Sequence, residues 1–156
     1  PVLLNLNCVS EEDMQENNSL SVFSSASKCL VSIFELIGNE ACKITTDFID
    51  AFSGGETWQK KVGSLSAFCF MLQGCDSRMA QDLVKQSWEG ILIMHDNTNL
   101  NVKLTTSALL IQMSKRCKQE LIGRGFLDLH IGLLMKRIVN FPPKVAAQLC
   151  IFVEEL

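Results

Sequence analysis

Four stretches of this chain share one layout. SVFSSASKCLVSI (21–33), KKVGSLSAFCFML (60–72), NVKLTTSALLIQM (101–113) and PKVAAQLCIFV (143–153) each open on or near a basic residue or Phe. Small residues come next, then a run of large apolar ones. The equivalent positions, Phe23, Lys61, Lys103 and Lys144, lie 38, 42 and 41 residues apart. No other feature constrains the fold as much. A unit of this size cannot bury its own apolar face, so it must stack on its neighbours.

Periodicity within and between these stretches is helical. It predicts helices near 20–36, 40–52, 56–73, 78–95, 100–117, 120–139 and 143–156. Gly38-Asn39, Ser53-Gly54-Gly55, Gly74, Asp96 to Asn99 and Asn140 to Pro143 punctuate them. Residues PVLLNLN read as the tail of a preceding helix. Phe68–Leu72 has the composition of a strand but continues a helical pattern, so no strand is expected. Repeat periods of roughly 40–47 residues belong to HEAT and armadillo arrays. The expected fold is all-α: a HEAT-repeat α-solenoid, a right-handed superhelical stack of antiparallel helix pairs, with about three full repeats and parts of others. A single array is expected over 1–156, with repeats near 20–53, 56–95, 100–139 and 143–156 and an acidic inter-repeat loop over 8–19. The chain opens on Pro1 and ends on IFVEEL within a helical pattern, so a piece of a longer protein is expected.

Within each layout the small residues have a physical task. Ser25-Ala26-Ser27, Gly63-Ser64, Thr105-Thr106-Ser107 and Ala146-Ala147 should let neighbouring helices approach closely. Leu30, Phe68, Leu110 and Ile151 should then fill the space between layers. The second helices carry the stripes Ile44/Phe48/Phe52, Leu83/Trp88/Ile91/Leu92 and Leu127/Ile131/Leu134/Ile138. Trp58 and Trp88 read as packing residues.

SGGETWQKK, beginning at Ser53, raises the question of a phosphate-binding loop. Such a loop needs G-x-x-x-x-G-K-[ST] after a strand. Here Gln59, not a second Gly of that pattern, stands directly before the lysines, and a helix leads in. The stretch reads as a turn, with Ser53-x-x-Glu56 at capping-box spacing.

The chain is 47% hydrophobic, enough to bury a core, and its net charge is −3. Glu11, Glu12, Asp13 and Glu16 are the only charged residues in 1–19. Removing these four from 17 acidic residues leaves 13 against 14 basic ones, so the rest sums to +1. The acidity is local, and no clustered positive charge suggests a nucleic-acid surface. No apolar run reaches the roughly 18 residues of a membrane span. The seven cysteines, 8, 29, 42, 69, 75, 117 and 150, are odd in number and contain no CxxC. They read as small core hydrophobes of a reducing compartment rather than a disulfide framework or zinc site. Cys75, after Gly74, is expected to be the most exposed thiol. His95 closes a helix and His130 sits in LDLHIGLL. Neither has a nucleophile motif or a metal-ligand partner at suitable spacing, so no catalytic residue, metal or cofactor is expected.

A family resemblance rests on an ordered series. Trp58-Gln-Lys-Lys-Val-Gly-Ser-Leu-Ser-Ala-Phe, closing on Leu72-Gln73-Gly74, resembles a middle HEAT repeat of the importin-β family. Leu83-Val84-x-Gln86, Val102-Lys103 with the small residues after it, and Pro143-Lys144-Val145-Ala146 with Gln148 and Cys150 continue the likeness over about 1–156. The family carries an acidic loop before a repeat with a Cys-Leu pair. Here Glu11-Glu12-Asp13 and Glu16 precede Cys29-Leu30.

The resemblance implies a nuclear import receptor of cytoplasm, nucleus and nuclear pore, not an enzyme. Its implied partners are the GTPase Ran in its GTP form, a cargo protein or importin-α-like adaptor, and nucleoporins through other parts of the parent protein. Glu11, Glu12, Asp13 and Glu16 are the implied Ran contact, by opposite charge. Second helices line the concave face in such arrays, so Asp47, Asp50 and Glu89 are candidate cargo contacts. There are departures. Val62, Leu104 and Val145 stand where the family has Asp. Leu20, Ala108 and Ile151 stand where it has tryptophans that grip the adaptor's arginine-rich segment. Without those rings there is no cation–π stacking, so that segment binds through other contacts or not at all. The alternatives are a HEAT scaffold of a phosphatase, translation or coat assembly without Ran binding, and a thiol hydrolase, which needs a reactive cysteine.

Overall fold

The computed structural model of the chain describes residues 2–15, 21–122, 132 and 138–156. Every element among them is helical. The helices are α1 (Val2–Asn5), α2 (Glu11–Gln15), α3 (Val22–Ile37), α4 (Asn39–Ser53), α5 (Trp58–Gly74), α6 (Ser77–His95), α7 (Leu100–Ile122) and α8 (Pro143–Glu155). A 3-10 turn, Leu6–Cys8, follows α1. The expected helix over 120–139 lies largely outside the described residues, as do Leu127, His130, Ile131 and Leu134. The chain divides into two compact units, residues 1–76 and 77–156.

Helix ends follow local chemistry. Ser21 caps α3 by accepting the Ser24 N–H at 3.0 Å. Gly38 separates α3 from α4 at φ +50°, a conformation that a residue with a Cβ rarely adopts. Asn99 starts α7: its side-chain oxygen accepts the N–H groups of Asn101 at 2.9 Å and Val102 at 3.3 Å. Pro143 occupies the first turn of α8, where its missing N–H costs nothing. The capping box expected at Ser53 and Glu56 does not form. Ser53 is the last residue of α4, and Thr57 precedes α5 without a side-chain cap. The Gly54-Gly55 turn is too tight for that box: the Gly55 N–H bonds back to the Phe52 carbonyl at 2.9 Å.

In the first unit α5 is the centre, buried continuously from Val62 to Phe68. It packs against α3, α4 and the 3-10 turn. Small residues make this possible. A Cβ on Gly63 would lie 2.4 Å from Asn7 Oδ1 and 3.0 Å from the Leu6 carbonyl oxygen. A Cβ on Gly74 would lie 2.2 Å from the Phe34 Cβ.

The α4 stripe differs from expectation. Ile44 is 64% exposed, while Ala41, Cys42, Thr45 and Phe48 face inward. Thr45 can be buried because its hydroxyl donates to the Ala41 carbonyl at 2.9 Å, leaving no donor unsatisfied.

In the second unit α7 packs against α6 and α8. Leu83, Trp88 and Ile91 of α6 are buried, as are Leu109, Leu110 and Met113 of α7 and Val145, Leu149 and Phe152 of α8. Ile151, expected as a filler, is 45% exposed because the inward row of α8 runs through 145, 149 and 152. The helix break expected near 117–120 is a kink: α7 continues to Ile122, with Cys117 at φ −132°, ψ 31°. No described helix is long and apolar enough to cross a membrane.

Candidate functional site

The acidic stretch is more ordered than a loop. Glu11, Glu12 and Asp13 form the first turn of α2. Ser10 and Asp13 cap it reciprocally. Asp13 Oδ2 accepts the Ser10 N–H and hydroxyl, both at 2.8 Å, and Ser10 Oγ accepts the Asp13 N–H at 3.2 Å. This is the capping-box arrangement with Asp in place of Glu. Burial pushes the Asp13 carboxyl up, but hydrogen bonds from the Ser21 side chain and from the Ser10 backbone and hydroxyl outweigh it. The net effect holds Asp13 below its ordinary value of 3.8.

The four acidic candidates are therefore not equivalent. Glu11 and Glu12 are exposed. Asp13 is half-buried and engaged in the cap. Glu16 lies outside the described residues. Sequence reasoning found the charge and missed the cap, although Ser10-x-x-Asp13 was the signal for it.

Asp47 and Asp50 are both exposed on α4, in the first unit. They share the outer side of the helix with Lys43 and the exposed Ile44. Glu89 is exposed on α6, in the second unit, with Gln86 one turn before it and Ile93, 71% exposed, one turn after. Of the positions matched to the adaptor-gripping tryptophans, Ala108 is half-buried and Ile151 exposed. Leu20 lies outside the described residues. At the positions matched to the family's Asp, Val62 and Val145 are fully buried and Leu104 is half-buried. The two valines pack where a carboxylate would have required polar partners.

His95, in the second unit, serves packing. His95 is 1% exposed, its Nε2 lies 3.1 Å from Ser107 Oγ, and its ring meets Phe141 edge-on at 5.0 Å. Ser107 spends its hydroxyl hydrogen on the Lys103 carbonyl at 2.9 Å, so its oxygen is free to accept from the imidazole. Lys103 Nζ sits over the other ring of this cluster, 4.9 Å from the Phe141 centroid.

The thiols distribute differently from expectation. Cys75 is 2% exposed, not the most exposed: it caps the end of α5, with its N–H bonded back to the Met71 carbonyl at 3.0 Å. Cys42 and Cys117 are also buried, whereas Cys8, Cys29 and Cys150 are exposed. Burial raises the Cys69 thiol to about 11 against the opposing hydrogen bond from Gln73. Among the described residues no three His, Cys, Asp or Glu side chains group as a metal site.

Helix pairs of this kind, joined by short turns and packed on their neighbours, define a HEAT-repeat protein. The chain is similar to importin β in sequence and in fold. It is 24% identical over 150 residues to importin subunit beta-1 of Schizosaccharomyces pombe, across 96% of this chain and 17% of that protein. Its fold is similar to that of yeast importin-β, Kap95p, in a structure with RanGDP (TM-score 0.85, 21% identity) and in the Kap95:Nup1 complex (TM-score 0.84, 21% identity). Each match covers 99% of this chain and 18% of the solved one. A structure of importin β from ammonium sulfate superposes with TM-score 0.86 at 19% identity. The chain thus spans less than a fifth of the length of the relatives it matches. No family model matches it.

Proposed function

We propose that this chain is part of a nuclear import receptor and that Glu11 and Glu12 contribute to its contact with Ran-GTP. The observation that carries the reading is the pair of exposed carboxylates on a capped helical turn, within a chain similar to importin β along nearly its whole length. Exposed like charges on a short, fixed element mainly steer encounter and reject wrong partners. A basic face on a GTPase is the complementary surface. The structures of Kap95p with RanGDP and with Nup1 support Ran and nucleoporins as partners of the relatives. Glu16 belongs to the same charge run. Asp47, Asp50 and Glu89 are proposed cargo contacts for basic segments. With Leu20, Ala108 and Ile151 in place of tryptophan, an arginine-rich adaptor segment would rely on these carboxylates rather than on ring stacking. The proposed setting is the cytoplasm and nucleus, and the proposed role is binding rather than catalysis.

The test is a titration against Ran loaded with GTP or GDP. It uses the chain itself and a chimera in which it replaces its counterpart in the S. pombe protein. GTP-selective binding by the chimera, weakened by Glu11→Lys/Glu12→Lys, is the expected result. A chimera that folds but binds both nucleotide forms equally, or neither, points instead to a HEAT scaffold without Ran recognition.

A further inference from the structure

We propose that Cys42 and Cys75 are a modification site: a prealigned pair of thiols that closes reversibly into a disulfide joining the first turn of α4 to the end of α5. Helices α4 and α5 run antiparallel, and three contacts mark which residues face each other. Asn39 Oδ1 accepts the Asp76 N–H at 3.0 Å, and the Asn39 amide donates to the Asp76 carboxylate. Farther along, the Thr46 hydroxyl lies 3.9 Å from the Met71 sulfur. As the α4 residue moves from 39 to 46, its partner moves back from 76 to 71. Between these two contacts, residue 42 falls opposite residues 74 and 75.

The side chains agree with this placement. Both cysteines are 2% exposed. Cys42 Sγ lies 4.0 Å from the Gly38 carbonyl oxygen, and Cys75 Sγ lies 4.0 Å from the Leu72 carbonyl oxygen. Burial first, then the neighbouring Cys75 and Asp76, push the Cys42 thiol up to about 11. Little thiolate forms at neutral pH, so exchange is slow and the pair persists as thiols unless an oxidant is sustained.

The chemistry needs a disulfide oxidant, here the cyclic disulfide of dithiothreitol. One cysteine loses its proton, and its thiolate attacks a reagent sulfur. The reagent's S–S bond breaks and a mixed disulfide forms. The second cysteine, deprotonated in turn, attacks the protein sulfur of that mixed disulfide and expels the reagent as its dithiol. Two protons and two electrons pass from the protein to the reagent. The product bond ties α4 to α5 and fixes their crossing.

The exposed thiols are first removed by Cys8→Ser, Cys29→Ser and Cys150→Ser. The chain is then equilibrated at graded ratios of oxidised to reduced dithiothreitol, folded and in urea. Acid quenching and alkylation precede mass spectrometry. The expected result is a chain with two alkylated cysteines instead of four and a peptide linking Cys42 to Cys75. In the folded chain this should occur at a ratio at least about tenfold more reducing than in urea, about 30 mV for this two-electron couple. Adding Cys42→Ala, with helix content checked by circular dichroism, should abolish the mass change. Three results overturn the proposal: equal ratios folded and unfolded, both cysteines still reduced in the folded chain when the unfolded chain has oxidised, or a bond from either to Cys69 or Cys117. Peptide mapping in the triple-serine background decides among these even if Cys42→Ala disturbs folding.

Discussion

Gly74 and Gly38 are both glycines at helix ends, yet they are constrained differently. At Gly74 a Cβ would press to 2.2 Å against the Phe34 Cβ, which is anchored to its own backbone and cannot swing away. Gly74→Ala should therefore force α5 off α3 and cost about 1–3 kcal/mol or more. At Gly38 a Cβ meets nothing within 4 Å, but φ is +50°. There the cost of Gly38→Ala is conformational alone, about 1–2 kcal/mol. Urea midpoints measure both. Phe34→Gly, which removes that Cβ as well as the ring, should lessen the added cost of the first substitution and leave that of the second unchanged, which separates the two causes. Asp13 is the residue whose contribution depends on pH. Its carboxyl is held below its ordinary value, so its cap contributes fully above the usual carboxylate range and is lost as pH falls through its lowered value. Amide exchange in α2, corrected for intrinsic rates, should accelerate on acidification below that range. Asp13→Asn should make the same amides exchange quickly already at neutral pH and flatten the pH dependence.

The helices show where local patterning suffices and where it misleads. Asn99 caps α7 with two accepted N–H bonds. Asn99→Ala should cost about 1 kcal/mol by urea denaturation, with protection lost first around Asn101 and Val102. The α7 small-residue row also behaves as its layout implies. Thr106 and Ser107 are fully buried because their hydroxyls return to the carbonyls of Val102 at 2.7 Å and Lys103 at 2.9 Å. The same back-bonding defeated hydrophobicity as a guide in α4. Thr45 took the inward place and Ile44 turned out, because a satisfied hydroxyl in a tight interhelical space fits where a branched apolar side chain does not. The starts of the helices near 20 and 143 were legible in the sequence, capping less so. It was misread at Ser53, because a box spacing in sequence says nothing about whether the preceding helix has already claimed the residue.

Across the molecule, charge is sparse and local, and the two exposed carboxylates of α2 stand apart from the core. Replacing both by Lys should change stability by no more than about 1 kcal/mol, the scale of first-turn charges in the helix dipole. The loss of Ran affinity in the chimera titration should shrink as salt rises, because exposed pairs are screened. Stability unchanged and affinity lowered is the expected combination; a large stability loss would assign the pair to folding instead.

The helical class and the roughly 40-residue recurrence were already decided by the sequence. Small residues at helix crossings and apolar runs at 3.6 spacing admit few other arrangements of a chain this size. Gly63 was singled out by that pattern, and the close approach of Asn7 gives its reason. Only the tertiary structure decided which cysteines face each other, that Asp13 serves a cap rather than solvent, and that Cys75 is buried. Those outcomes depend on the rotation of one helix against another. Rotation is set by the fit of side chains from segments distant in the chain, and a spacing rule along one helix carries no information about its partner's face.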